Sequence, residues 1–206
     1  MASGVPVADK YPNFAALAAA EPASGYAVTV RDRGSAVAIA APHGGGIEPG
    51  TSEVALAIAG HDLSYYLFEG RKPRANFDLH LTSSNFDEPG CLALLGAAER
   101  VVTVHGEGSL EEVAFLGGLD RSLAVALAAA LAGSGFAVGS HIGPGMQGSH
   151  ARNICNIGRA RAGVQLELGG GLRRRFLDAR SGTAAERAAR LARFAAAVRQ
   201  VLCAPR

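Results

Sequence analysis

Short apolar runs recur along the chain, and glycine residues separate them at fairly even intervals. Strands that are buried on both faces of a parallel or mixed sheet have this continuous apolar character. The runs predict strands over residues 26–30, 36–41, 63–68, 77–82, 101–105, 112–116, 136–139 and 164–168.

Segments with helical spacing lie between or after these strands, over residues 13–20, 51–59, 90–98, 120–132 and 183–203. The last is the best defined. Thr183 and Glu186 form a T-x-x-E capping box, and Leu191, Phe194 and Val198 recur on one helix face. Helices interleaved with buried strands predict an α/β fold, with an open mixed β-sheet flanked by helices. Ligands of such sheets bind beyond the carboxyl ends of the strands.

The chain has 206 residues, of which 49% are hydrophobic. This size predicts a single domain over residues 1–206, in which residues 1–24 form a peripheral N-terminal segment. The start lacks the basic and apolar regions of a secretion signal, and the apolar runs are too short to span a membrane. We therefore expect a soluble, monomeric cytoplasmic protein, which cell lysis could also release.

The charge balance excludes some partners. With 20 basic and 18 acidic side chains the net charge is +2, which argues against a protein that coats nucleic acid. Cys91, Cys155 and Cys203 lie far apart without a C-x-x-C pair, so neither a disulfide framework nor a zinc knuckle is indicated.

Groups that can bind a metal follow several predicted strands. Three glycines follow His43 and allow the backbone to turn sharply, so that Glu48 can return towards the imidazole. His105 ends another strand. A catalytic zinc ion takes three protein ligands of these types and leaves one position for water. His43, Glu48 and His105 therefore form a candidate zinc site.

Glu167 ends an apolar strand and is the candidate general base. A buried carboxylate without a partner is costly, and such groups usually have a metal, an arginine or a raised pKa. An edge strand facing water would also explain Glu167. Likewise, His105 could be a strand-end histidine bonded to backbone, and His80, inside a predicted strand, could be a core residue.

Two further motifs favour other functions. Residues 43–46 read HGGG, like the oxyanion-hole segment of α/β-hydrolase esterases, but the chain has no G-x-S-x-G nucleophile elbow. Residues 143–148 read GPGMQG and fit the dinucleotide-binding pattern G-x-G-x-x-G, but no amphipathic helix follows them. We interpret the second motif as a glycine-rich substrate loop.

Four segments occur in an ordered series: HGGGIEPGTSE at 43–53, HLTSSNFDEP at 80–89, VHG at 104–106, and NICN at 153–156 leading to GVQLEL at 163–168. This series resembles the poly-γ-glutamate hydrolase family, which comprises small zinc-dependent peptidases of phages and bacteria. The likeness runs from about residue 25 to the C-terminal helix.

The resemblance implies a reduced zinc-carboxypeptidase-like fold with the metal above the strand ends. It implies that His43, Glu48 and His105 bind Zn²⁺ and that Glu167 is the general base. The implied substrate is a small or polymeric anionic peptide with γ-glutamyl amide bonds, with poly-γ-glutamate as the expected polymer. A zinc amidohydrolase of another N-acyl or peptide substrate remains an alternative, as does a non-catalytic metal- or polyanion-binding domain.

The expected substrate-binding residues are His80, Arg74, Arg152, Asn153, Asn156 and Arg159. Arg74 and Arg152 are candidates to stabilise the oxyanion. In the family pattern an arginine follows the second asparagine of N-x-x-N, where it holds a substrate carboxylate, but Ile157 stands there. Arg159 or Arg161 would then be the substitute.

Overall fold

A computed structural model describes residues 8–140 and 146–204 of the chain. Within these residues the strands are β1 Tyr26–Arg31, β2 Val37–Gly45, β3 Ser64–Gly70, β4 Arg100–Glu107, β5 Val113–Gly118, β6 Ala137–Gly139 and β7 Val164–Gly169. The helices are α1 Phe14–Ala20, α2 Thr51–Ala59, α3 Pro89–Ala97, α4 Arg121–Gly133, α5 Gly170–Leu177 and α6 Ala184–Leu202.

The strands form one open mixed sheet in the order β1-β3-β2-β4-β7-β5-β6. The central strands β3, β2, β4 and β7 are parallel. Strand β1 is antiparallel to β3, and β5 is antiparallel to β7. The predicted α/β architecture is therefore confirmed. The carboxyl ends of β2, β4 and β7, which are neighbours, lie at the same edge of the sheet.

Both faces of the sheet are covered, which explains why the central strands are almost continuously apolar. On one face Ile39 packs with Leu127 of α4 and Phe194 of α6. On the other face Tyr66 packs with Leu17 of α1 and Leu95 of α3. None of the helices in the described part of the chain combines the length and apolar character needed to cross a bilayer.

The predicted strand at 77–82 is wrong. The chain forms a 3₁₀ helix at Asn76–Leu79 and then an irregular segment. The side chain of Asn76 closes this turn, because it accepts a hydrogen bond from the Lys72 amide at 2.9 Å and donates to the Lys72 carbonyl at 2.7 Å. Phe77, Leu79 and Leu81 would lie on one face of a strand, and this apolar alternation is why a strand was predicted. In the structure Leu79 and Leu81 are fully buried, whereas Phe77 is 51% exposed.

Helix α5 was not predicted, because the glycines that precede and begin it favour a loop. The structure shows that these glycines allow close packing. A Cβ atom on Gly171 would lie 2.2 Å from the Leu110 carbonyl oxygen, and one on Gly169 would lie 2.3 Å from the Glu111 carbonyl oxygen. The helix therefore starts directly at the carboxyl end of β7.

The N-terminal segment was expected to be peripheral, but its described part packs into the fold. Leu17 is fully buried. The Tyr11 hydroxyl donates to Glu21 at 2.7 Å, and Lys72 forms an ion pair with Glu21 at 3.1 Å. Cys91, Cys155 and Cys203 are free thiols.

Gly163→Ala is expected to destabilise the protein. A Cβ atom at residue 163 would lie 1.9 Å from the Cys155 carbonyl oxygen and 2.7 Å from that of Val101, and backbone cannot give way easily. We expect a loss of about 1–3 kcal/mol in the free energy of unfolding, measured in urea. Gly96→Ala is the control, since nothing lies within 4 Å of its Cβ position. Equal unfolding free energies for the two variants would contradict this packing.

Candidate metal centre

The two predicted histidine ligands meet at the carboxyl edge of the sheet. His43 lies near the end of β2 and His105 near the end of β4, and these strands are parallel neighbours. Their Nδ1 atoms are 3.1 Å apart. Both imidazoles are buried, with His43 1% and His105 3% exposed. Parallel pairing thus brings together two side chains that are far apart in the sequence.

A glycine turn returns Glu48 to the same point. The Glu48 amide donates to the His43 carbonyl at 2.8 Å, and Gly45 has a φ of +61° that favours glycine. Glu48 Oε1 lies 3.2 Å from His43 Nδ1, and Oε2 lies 3.9 Å from His105 Nδ1. One potential ligand atom from each of the three residues lies within 4.8 Å of the others.

Hydrogen bonds on the far side of each group orient these atoms. His43 Nε2 lies 2.8 Å from the Leu81 carbonyl and can only donate to it, which leaves Nδ1 as the acceptor in the neutral ring. The Gly106 amide donates to Glu48 Oε2 at 2.8 Å, and Ser83 Oγ lies 3.4 Å from His105 Nε2. Two imidazole nitrogens and a carboxylate form a donor set that suits Zn²⁺.

The electrostatics favour an anionic Glu48 and a neutral His105, the forms that bind a metal. Burial would lower the pKa of His43, but the charge of Glu48 and the hydrogen bonds of the ring outweigh burial and raise it, so His43 is the group that must lose a proton when a metal binds. Burial alone would raise the pKa of Glu48, but the charge of His43 and its hydrogen bond outweigh burial and lower the pKa to about 2. Burial and the charge of His43 lower the pKa of His105 to about 3. Glu48 is thus an anion and His105 a neutral imidazole over the physiological pH range.

Glu167 lies on β7, directly opposite His105 of β4 in the parallel register. It is 6% exposed, and its Oε1 accepts a hydrogen bond from Gln165 Nε2 at 2.7 Å. Burial, followed by the charge of Glu48, raises the pKa of Glu167 well above its usual range. The open edge-strand explanation is therefore wrong, because β7 is an internal strand between β4 and β5.

A cavity of about 440 Å³ opens over these groups. It contains most of the residues that the sequence singled out, together with several that it did not. Its lining includes His43, Glu48, Phe77, His80, Thr82, Ser83, Ser84, His105, Met146, His150, Asn153, Gln165 and Glu167.

His80 lines the cavity next to the candidate ligands. Its ring stacks on His43 with 4.1 Å between centroids, and on Phe77 with 5.0 Å. Its Nδ1 lies 2.8 Å from Asp9 Oδ1, so the N-terminal segment helps to orient the ring. His80 thus lies beside the candidate metal ligands, and its role towards the substrate stays a prediction.

Asn156 and Arg159 were expected to bind substrate but do not line the cavity. The Asn156 side chain donates to the carbonyls of Gly148 and His150 and accepts from two backbone amides, so it holds the surrounding loops together. Arg159 pairs with Glu99 at 3.1 Å, just before β4 begins, which is the opposite edge of the sheet from His105. Neither side chain is in the cavity lining, and the partners of both lie within the fold.

The remaining predicted residues differ in their placement. Asn153 lies in the cavity wall, where its Nδ2 donates to Gln165 Oε1 at 2.8 Å. Arg74 and Arg152 are exposed and are not part of the lining. Of the motif at 143–148, residues 143–145 lie outside the described part of the chain, while Met146 and Gly148 border the cavity.

Several site residues were missed. Gln165 stands two residues before Glu167 and thus on the same face of β7, a period-two signal that could have identified it. Asp9 and Ser83 carry no such signal, because only tertiary packing brings them to the histidines. Arg173 of α5 was also missed, because three consecutive arginines suggest side chains that face solvent.

Known proteins resemble this chain in sequence and in structure. A family model described as poly-gamma-glutamate hydrolase matches residues 11–198. The chain belongs to the poly-γ-glutamate hydrolase family. A bacteriophage poly-gamma-glutamate hydrolase of known structure is 30% identical, with a TM-score of 0.88 over 95% of this chain and 97% of that one.

A second protein similar to this chain is YndL of Bacillus subtilis (strain 168). It is 39% identical over 173 residues, which are 84% of this chain and 68% of YndL. Its zinc-free apo structure is 35% identical and superimposes with a TM-score of 0.86 over 95% of this chain and 98% of that one.

The fold extends beyond the poly-γ-glutamate hydrolase family. An N-formylglutamate amidohydrolase from Ralstonia eutropha has a TM-score of 0.52 at 11% identity, over 86% of this chain and 97% of that one. At this identity the likeness shows the fold alone. The expected open mixed β-sheet flanked by helices is confirmed.

Gln165→Met is expected to lower the free energy of unfolding by about 1–3 kcal/mol, because Asn153 Nδ2 and Glu167 Oε1 both lose their buried partner. Urea unfolding measures the change. The matched control is Gln200→Met, at an exposed glutamine of α6. If the Gln165 variant were as stable as the Gln200 variant, the hydrogen bonds of Gln165 to Asn153 and Glu167 would contribute nothing to the free energy of unfolding.

Proposed function

We propose that the protein is a zinc-dependent hydrolase that cleaves γ-glutamyl amide bonds, with poly-γ-glutamate as its substrate. The observation that carries the proposal is the convergence of His43, Glu48 and His105 beside the buried Glu167. The family match and the likeness to the phage hydrolase support the substrate. The existence of a zinc-free form of YndL supports zinc as the metal.

His43, Glu48 and His105 would hold the ion through two Nδ1 atoms and a carboxylate. When bound, zinc supplies Lewis acidity and an activated water at neutral pH. Glu167 would accept the proton of the attacking water on its carboxylate and return it to the leaving amine nitrogen. The Gln165 amide orients Glu167 for both transfers through the 2.7 Å hydrogen bond.

The cavity suggests how an anionic substrate would be held. Among its described lining residues there is no arginine or lysine. The donors that could face substrate carboxylates include the hydroxyls of Thr82, Ser83, Ser84 and Ser149 and the rings of His80 and His150. We therefore propose that neutral donors and histidines bind the carboxylates nearest the scissile bond, in place of the guanidinium groups expected from the sequence.

One contact favours a second candidate function. Ser83 Oγ lies 3.4 Å from His105 Nε2, and His105 Nδ1 lies 3.9 Å from Glu48 Oε2. This is the order of a serine–histidine–carboxylate triad, although both distances exceed those of a formed triad. A serine esterase that uses the HGGG segment is therefore the alternative to the zinc hydrolase.

Glu167→Gln is expected to retain bound zinc but to lower the rate of poly-γ-glutamate hydrolysis by about 10²–10⁴-fold, because the amide cannot accept a proton. Zinc content is measured by plasma mass spectrometry, and rate by the release of amino groups. Glu111→Gln, at an exposed glutamate, is the control. Hydrolysis by the Glu167 variant at the wild-type rate would exclude its role as the base.

Incubation with poly-γ-glutamate and with α-linked polyglutamate tests the substrate and the metal together. We expect cleavage of the γ-linked polymer only, lost after treatment with chelator and restored by zinc, as measured by product sizing. A fluorophosphonate probe is expected to leave the protein unlabelled. Labelling of Ser83 with activity retained in chelator would instead establish the serine esterase.

A further inference from the structure

Arg173 of α5 uses its guanidinium group to bond to three carbonyl oxygens. Nε donates to Leu168 at 3.1 Å, Nη1 to Pro49 at 2.8 Å, and Nη2 to Glu107 at 2.8 Å. The side chain is half-buried and forms no ion pair with a carboxylate of the described residues. All of its hydrogen bonds therefore go to backbone.

These carbonyls belong to the three segments that carry the site. Pro49 follows Glu48, and Leu168 follows Glu167. Glu107 follows Gly106, whose amide donates to Glu48 Oε2, and it stands two residues after His105. One planar cation thus connects the turn after β2 with the ends of β4 and β7, next to the groups that would bind metal and move protons.

The backbone is shaped to admit this group. A Cβ atom on Gly106 would lie 2.5 Å from Arg173 Cζ, and one on Gly50 would lie 3.3 Å from Arg173 Cβ. The guanidinium therefore lies against the Cα of Gly106, directly after the ligand His105. A side chain at residue 106 would displace either the arginine or the strand end.

We infer that Arg173 is a positioning residue that fixes the segments bearing Glu48, His105 and Glu167 relative to one another. Arginine suits this role because its donors diverge in a rigid plane, whereas the ammonium of lysine is a single point. Residues that do not bind the metal but hold its ligands in place typically contribute 10- to 100-fold to metal affinity. The inference rests on the proposed function in one respect: the proposed function identifies Glu48 and His105 as metal ligands and Glu167 as the general base.

The test compares Arg173→Met, Arg173→Lys and the control Arg174→Met in the full chain. Arg174 is the exposed neighbour on the same helix. Hydrogen exchange of the metal-free proteins, followed by mass spectrometry, reports the segments 46–50, 105–109 and 167–169. Zinc affinity is measured by competition with a chelator, and the visible spectrum of the Co²⁺-loaded proteins reports ligand geometry.

We expect faster exchange in all three segments for both Arg173 variants, zinc affinity lowered by about 10- to 100-fold, and an altered Co²⁺ spectrum. The Arg174 control should match the wild type in each measurement. If Arg173→Met does not fold, Arg173→Lys decides the question, because it keeps the charge and loses the three-way geometry.

Faster exchange confined to residues 170–177 would overturn the inference, as would wild-type zinc affinity and an unchanged Co²⁺ spectrum in the Arg173 variants. Failure of the proposed function is recognised separately. If the wild-type protein binds zinc but leaves γ-glutamyl bonds intact, only the activity is wrong. If the wild type binds neither ion, zinc dependence is wrong, and hydrogen exchange in the metal-free proteins still decides whether Arg173 fixes the three segments.

Discussion

The candidate metal centre depends on two imidazole nitrogens that face each other at 3.1 Å in a buried position, with a carboxylate beside them. Buried polar atoms need partners, and two ring nitrogens that both present lone pairs repel each other unless a cation or a proton lies between them. The Leu81 carbonyl directs the lone pair of His43 towards this point. A divalent cation between them would bind both ring nitrogens and the carboxylate and would keep one coordination position open.

The rest of the fold can be understood as what holds these atoms in place. Parallel pairing of β2 and β4 sets the distance between the histidines, and the glycine turn after His43 returns Glu48. The next strand, β7, places Glu167 opposite His105. The sheet is covered on both faces, so the strand ends have little freedom to separate.

Local patterns explain which predictions succeeded. The capping box at Thr183 and Glu186 is present at the start of α6, because it needs only neighbouring residues. The spacing of His43 and Glu48 is also local. By contrast, residues 77–82 have the alternation of a strand but form a 3₁₀ helix and an irregular segment, directly after a loop that the Asn76 side chain closes. Arg159 lies only three residues after Asn156, yet its segment runs to the opposite edge of the sheet. Asp9 and Arg173 reach the site only through tertiary packing, so no spacing in the sequence reveals them.

The central claim is that one divalent cation binds between His43, Glu48 and His105. Anomalous diffraction at the zinc absorption edge, from crystals of the zinc-loaded protein, tests it most directly. The account predicts a single strong peak about 2.0–2.1 Å from Nδ1 of both histidines and within about 2.2 Å of a Glu48 oxygen. A peak elsewhere, or none between these three side chains at saturating zinc, would contradict it.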